Sequence, residues 1–226
     1  MDLSPNAEKL FYLLFTKDFD ENRLICELQS GIYSTDDIND AALQYVDMCT
    51  DTEEFSLFEN LSDGELVPNI ESSHLTETIR VLLDFGLDPN RVSSEWPLNI
   101  IRHITFIKNG YQAADALALL FEHGGNPSII VDEESVIRDM NTDLLLDPFD
   151  FPYWYNAFVH CWMVFIGYGA RLENGLECID MNPSFDEKVF RNHRQFCYRW
   201  IASDRSDDGV ELCFYDKTSG LEVARY

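Results

Sequence analysis

Basic residues are scarce in this chain. Sixteen Lys and Arg stand against 41 Asp and Glu over 226 residues, a formal net charge of -25. A folded surface with that balance carries a negative field that repels nucleic-acid phosphate and anionic membrane and attracts basic proteins or metal cations. Direct nucleic-acid binding is therefore disfavoured. Long apolar runs are missing as well: the longest, Ala157 to Ile166, contains His160 and falls short of the about 18 residues that a spanning helix needs. The opening MDLSPNAEKLFYLLFTKD has no basic n-region and no small-residue cleavage site, so no secretory signal is expected. A soluble, cytoplasmic protein without membrane contact follows as the expectation. The six cysteines are widely and irregularly spaced, with no C-x-x-C, and read as reduced core residues rather than a disulfide frame.

Signatures of chemistry are also lacking. No G-x-S-x-G, P-loop or Rossmann fingerprint occurs. The five histidines, His74, His103, His123, His160 and His193, offer no zinc-ligand spacing. Asp204 to Gly209 begins like a calcium loop, but the position that needs a bidentate Glu is Tyr215, so a hairpin turn accounts for it better. Carboxylate pairs are everywhere because acid is everywhere, and they single out no general acid or base. No cofactor or metal is expected, and the reading is that the chain is not an enzyme; an uncharacterised enzyme stays as the remote alternative and would require a concave pocket with convergent polar groups.

What is present is a repeat. TETIRVLLDFGLDPN, from Thr76 to Asn90, has a degraded copy, ADALALLFEHGGNPS, that starts 38 residues later at Ala114. Leu82, Gly86 and Pro89 recur as Leu120, Gly124 and Pro127, and a weaker copy in Asp20 to Ser30 ends at Gly31. Gly31, Gly86, Gly124 and Gly169 stand where helices would end on a left-handed residue. The L-L-x-x-G-x-D-x-N tail on Leu82, Leu83, Gly86, Asp88 and Asn90, with Pro97 and Leu98 opening the next unit, resembles the ankyrin repeat. In the second copy the tail is Leu120, Phe121, Gly124, Asn126 and Ser128. Trp96 and Asn99 stand where the family's opening has the Thr and His whose hydrogen bonds lock neighbouring turns. The resemblance implies an irregular array over residues 20 to 172, with spacings of 55, 38 and 45 residues between the glycines.

In chain order, Ser4-Pro5 and Ser34-Thr35 read as helix starts, residues 50 to 70 as an acidic insertion, and Asp132 to Leu146 with Tyr153 to Tyr168 as the last helix pair. The second of these is apolar nearly all round and must be buried. From Arg194 the period becomes two, which predicts an antiparallel meander over Arg194–Ala202, Val210–Tyr215 and Leu221–Tyr226, capping the array. The expected fold is mainly α: about four antiparallel helix pairs over residues 1 to 180 and a β-rich cap over 181 to 226. The expected function is a non-catalytic module that binds a basic protein, in the manner of a bacterial immunity protein neutralising a basic toxin. A mimic of DNA that inhibits a nucleic-acid-binding protein is the alternative, and a monomer is favoured. Candidate partner-binding residues are Asp51, Glu53, Glu54, Glu59, Asp63 and Glu65 of the insertion, with Asp132, Glu133 and Glu134. Gly31, Gly86, Asp88, Asn90, Gly124, Asn126 and Gly169 are candidate turn residues.

Overall fold

The helices begin where a short polar side chain can serve the unpaired N–H groups of a first turn. The computed structural model describes residues 3–16, 19–50, 74–93, 99–107, 109–132, 134–138, 140, 152–170, 180–182, 184–202 and 210–225. Helix α1 (Pro5–Leu14) follows Ser4, whose Oγ accepts from Ala7 N at 3.0 Å. Helix α2 (Glu21–Leu28) is capped by Asp20. Helix α3 (Thr35–Thr50) starts with a reciprocal pair: Asp37 N donates to Ser34 Oγ at 3.1 Å and Ser34 N donates to Asp37 Oδ2 at 2.8 Å. Ser4 Oγ also donates to Asp37 Oδ1, which ties the starts of α1 and α3 together. Helices α4 (Leu75–Asp84), α5 (Ile100–Ile104), α6 (Gly110–Glu122) and α7 (Pro152–Gly167) follow.

These helices form two rows. In one, α1 packs on α3 and α3 on α5; in the other, α2 packs on α4, α4 on α6 and α6 on α7. The rows join through α3 with α4 and α5 with α6. At the last turns the same hydrogen bonds recur. Leu87 N donates to Leu82 O at 2.9 Å, Gly125 N to Leu120 O at 2.8 Å and Ala170 N to Phe165 O at 2.9 Å. The preceding glycines, Gly86, Gly124 and Gly169, have φ of 105°, 90° and 90°, and Gly31 has 70°. A side chain in that conformation would set Cβ against the carbonyl, so glycine closes each of these helices without strain.

Strands β1 (Ile130–Val131) and β2 (Glu134–Ser135) form a small hairpin. The expected helix from Asp132 is therefore corrected: Asp132 has φ 56° at the hairpin turn, and residues become helical only from Val136. A left-handed backbone at Asp132 cannot continue a right-handed helix, and the chain reverses there with Ile130 paired to Ser135 and Val131 to Glu134. Beyond α7, β3 (Asp180–Met181) precedes a 3₁₀ segment (Glu187–Gln195) and strands β4 (Phe196–Ala202), β5 (Val210–Asp216) and β6 (Glu222–Arg225). Strands β4, β5 and β6 are the expected meander, and β3 adds antiparallel to its β6 edge.

One hydrophobic core runs through both parts. In α7 every residue from Val159 to Ile166 is buried, more than two full turns, so all faces of this stretch are covered. The cover on one side is aromatic: Trp162 stacks on Phe214 of β5 at 5.4 Å between centroids, and Phe190 of the 3₁₀ segment lies edge-on to Phe196 and Phe214. The chain is mainly α with this sheet docked against its last described helix, and among the described residues no helix is long and apolar enough to cross a membrane.

Candidate functional site

The turns between the rows come into register because side chains reach from each to the next. Asn39 Oδ1 accepts from Asp88 N at 2.9 Å while its Nδ2 donates to Thr35 O. One unit on, Asn90 Oδ1 accepts from Asn126 N at 2.7 Å and its Nδ2 donates to Gly124 O at 2.9 Å. Asp88 and Asn126 each accept a backbone N–H two residues ahead, from Asn90 and from Ser128, both at 2.9 Å. Such Asx turns fix the backbone locally, and the steps between units fix the turns against one another.

Outside this ladder the tips expose apolar side chains. Val92 is 42% exposed and Ile130 is 61% exposed, at positions 38 residues apart and equivalent in the two copies. Ile32, 48% exposed, stands in the first turn. Acid surrounds them: Asp88 and Asp132 are exposed, and Asp36 is 82% exposed, although it pairs with Arg91 at 2.8 Å. Arg91 also pairs with Asp40 at 3.0 Å, so the cation of this strip is committed to α3. An exposed aliphatic row rimmed by acid is a surface that a protein partner with complementary charge can cover.

Of the candidate partner-binding residues, the structure places Asp132 at the hairpin tip beside Ile130, and Glu134 in β2 of the same hairpin. Asp51, Glu53, Glu54, Glu59, Asp63, Glu65 and Glu133 lie outside the described residues. Gly31, Gly86, Asp88, Asn90, Gly124 and Asn126 stand in the turns described above, and Gly169 ends α7. Val92 and Ile130 were not singled out from sequence, though the 38-residue offset of the copies carries one onto the other.

A second cluster joins the array to the sheet. His193 of the 3₁₀ segment sets its Nε2 2.9 Å from Asp115 of α6, and its Nδ1 3.3 Å from Nδ1 of His160 in α7. Arg194 Nη2 donates to the other Asp115 oxygen at 2.5 Å. Tyr111 lies against His160 at 4.3 Å between centroids, with Arg194 and Lys217 over its ring. Burial pulls the Asp115 carboxyl up, but hydrogen bonds from His193 and Arg194 outweigh it and hold it at about 2. An ionised Asp115 accepts, so His193 donates to it from Nε2. From sequence, His160 and His193 are noted only as lacking zinc-ligand spacing. The available signal was Asp115, a lone acid in the apolar run of α6.

Burial, then the positive charges of His193, Lys217 and Arg194, hold His160 down to about 4. Its depressed value means that the unfolded chain takes up the proton first as pH falls. Stability is lost from pH about 6.5 down through about 4 and fully present above that window, a contribution of about 3 kcal/mol. Asp115 adds its own loss below its ordinary value as pH falls further. Urea unfolding at pH 4.5 and pH 7 should show a wild-type difference that shrinks by about 2 kcal/mol in His160→Gln.

Among the described residues no group of three or more His, Cys, Asp or Glu is placed to hold a metal ion. Comparisons with protein-family models, with curated proteins and with solved structures find no match.

Proposed function

We propose that this chain is a non-catalytic protein-interaction module, an irregular ankyrin-like array whose turn tips bind a basic protein. The observation that carries the reading is the matched pair of exposed aliphatics, Val92 and Ile130, on turns held in register by Asn90 and Asn126 and rimmed by Asp88 and Asp132. The net charge of -25 supplies long-range attraction for a cationic target. The aliphatic tips supply what charge alone does not: burial at the centre of an interface, where most binding energy resides. Neutralising a basic toxin by covering it, in a cytoplasmic setting, is the role this combination fits best.

The test is retention of basic proteins on the immobilised chain at low and high salt, compared with a Val92→Glu/Ile130→Glu variant. Wild type should retain one basic protein at low salt and part of it at high salt. The variant should weaken that binding by about tenfold to a hundredfold with no change in thermal unfolding, because both side chains are exposed. Unchanged retention by the variant, or capture of many basic proteins all released by salt, would sink the proposal.

A further inference from the structure

Where α7 ends, the 3₁₀ segment turns across it and leaves an open cleft of 480 Å³, within the range of small-molecule sites. Gly167 makes the approach possible. A Cβ there would meet Arg191 N at 2.6 Å, so only glycine lets the 3₁₀ backbone lie on the helix end. The last carbonyls of α7 are all satisfied: Val164, Phe165 and Ile166 accept from Tyr168, Ala170 and Gly169, and Gly167 O accepts from Arg191 Nε at 2.8 Å. Arg191 thus neutralises the negative end of the helix dipole with one of its donors.

Among the described residues no side chain or carbonyl accepts from the two Nη groups of Arg191. The guanidinium lies 4.3 Å from the centre of the Tyr168 ring, and Tyr168 is itself fixed by its hydroxyl, which donates to Glu122 Oε1 at 2.8 Å. With Nε bonded and the plane stacked, the two Nη groups present the edge that matches a carboxylate by two parallel hydrogen bonds. Among the described residues no carboxylate lies within ion-pair distance of Arg191 or of Lys188, which lines the same cleft. Elsewhere among the described residues Lys9, Arg80, Arg91, Arg194 and Arg225 are each paired with an acid. Phe185 and Tyr168 give the cleft apolar walls, and two acids line it as well: Asp186, whose Oδ1 accepts from Lys188 N at 3.0 Å, and Glu187.

We propose that this cleft binds a small organic carboxylate, its two oxygens on Arg191, its charge shared with Lys188 and its apolar body against Phe185 and Tyr168. The site is independent of the turn-tip surface. Lys188 reaches as a point charge, whereas Arg191 fixes orientation, so the two contribute unequally.

The probe is benzoate, titrated into the ¹⁵N-labelled full chain while the arginine Nε–H resonances are followed. Benzamide serves as the neutral ring and inorganic phosphate as the bare oxyanion. Benzoate should give a saturable shift at Arg191 with a Kd of order 1 mM, and Arg199, which stacks on Tyr215 away from the cleft, should not move. Arg191→Gln should weaken binding at least about tenfold and Lys188→Gln about threefold. Benzamide should not bind, and phosphate should bind about tenfold more weakly than benzoate because it leaves the aromatic walls uncovered. The proposal is overturned by a shift that does not saturate, by benzamide or phosphate matching benzoate, or by unaltered affinity in Arg191→Gln. If that variant does not fold, unaltered affinity in Lys188→Gln overturns it in the same way.

Discussion

Trp162→Ala should cost about 4 kcal/mol of unfolding free energy, the largest loss expected from a single side chain here. Trp162 is 1% exposed and lies nearly parallel to Phe214, with an interplanar angle of 8°. Phe190, fully buried, touches Trp162, Phe185, Phe196 and Phe214, so the indole is one wall of a five-ring cluster holding α7, the 3₁₀ segment and the sheet together. Truncation removes the transfer energy of the ring and leaves a cavity lined by rigid aromatics that cannot collapse into it. A domain of ordinary stability has only about 5–15 kcal/mol in total, so the variant should be near the edge of folding at 37 °C. Trp162→Phe keeps a ring against Phe214 and should cost about half as much. Urea unfolding followed by circular dichroism gives both values, and a loss under about 1 kcal/mol in the alanine variant would mean that the sheet does not depend on α7.

The helix ends were legible because their causes are local. Ser4-Pro5, Ser34 ahead of Thr35, and the glycines at 31, 86, 124 and 169 act within a few residues of the backbone groups they serve. The meander was legible for the same reason, since alternation over β4 is a property of seven consecutive residues. Strand β3 was not: two residues carry no period, and only pairing with β6 makes Asp180–Met181 a strand. The 3₁₀ segment shows its period of three in two buried side chains alone, Phe190 and His193, within a sequence that is otherwise polar apart from the exposed Val189.

The candidate sites divide along the same line. Asp88, Asn90 and Asn126 could be placed on turns from the repeat, but that Asn90 reaches Gly124 and Asn126 depends on how α4 packs on α6. Asp115, His160 and His193 come from α6, α7 and the 3₁₀ segment and meet only when all three are packed. The same holds for Arg191, Tyr168 and Glu122 around the cleft. Exposure is likewise a property of the assembled surface. Ile130 sits in an apolar run, Ile129–Val131, that would pass for core; its two neighbours are buried and it is not.

Asn99→Ala should cost about 3 kcal/mol. Asn99 is fully buried and uses both ends of its amide. Oδ1 caps α5, accepting from Ile101 N at 2.8 Å and Arg102 N at 3.3 Å. Nδ2 donates to Pro89 O at 3.1 Å and Arg91 O at 2.9 Å, closing the turn that carries Asn90 and Val92. Loss of the cap accounts for about 1 kcal/mol, and burying the turn carbonyls without a donor accounts for the rest. The aspartate variant separates the two roles. Asn99→Asp keeps a good capping oxygen but sets a carboxylate against the two carbonyls, so it should be at least as damaging as alanine at pH 7. If capping were the whole role, Asn99→Asp would be nearly neutral, because aspartate caps as well as asparagine does. Thermal unfolding of the two variants side by side decides between these outcomes. In either variant the turn that presents Val92 loses its inner anchor, so affinity for a partner at the tips should fall even under conditions where the chain stays folded.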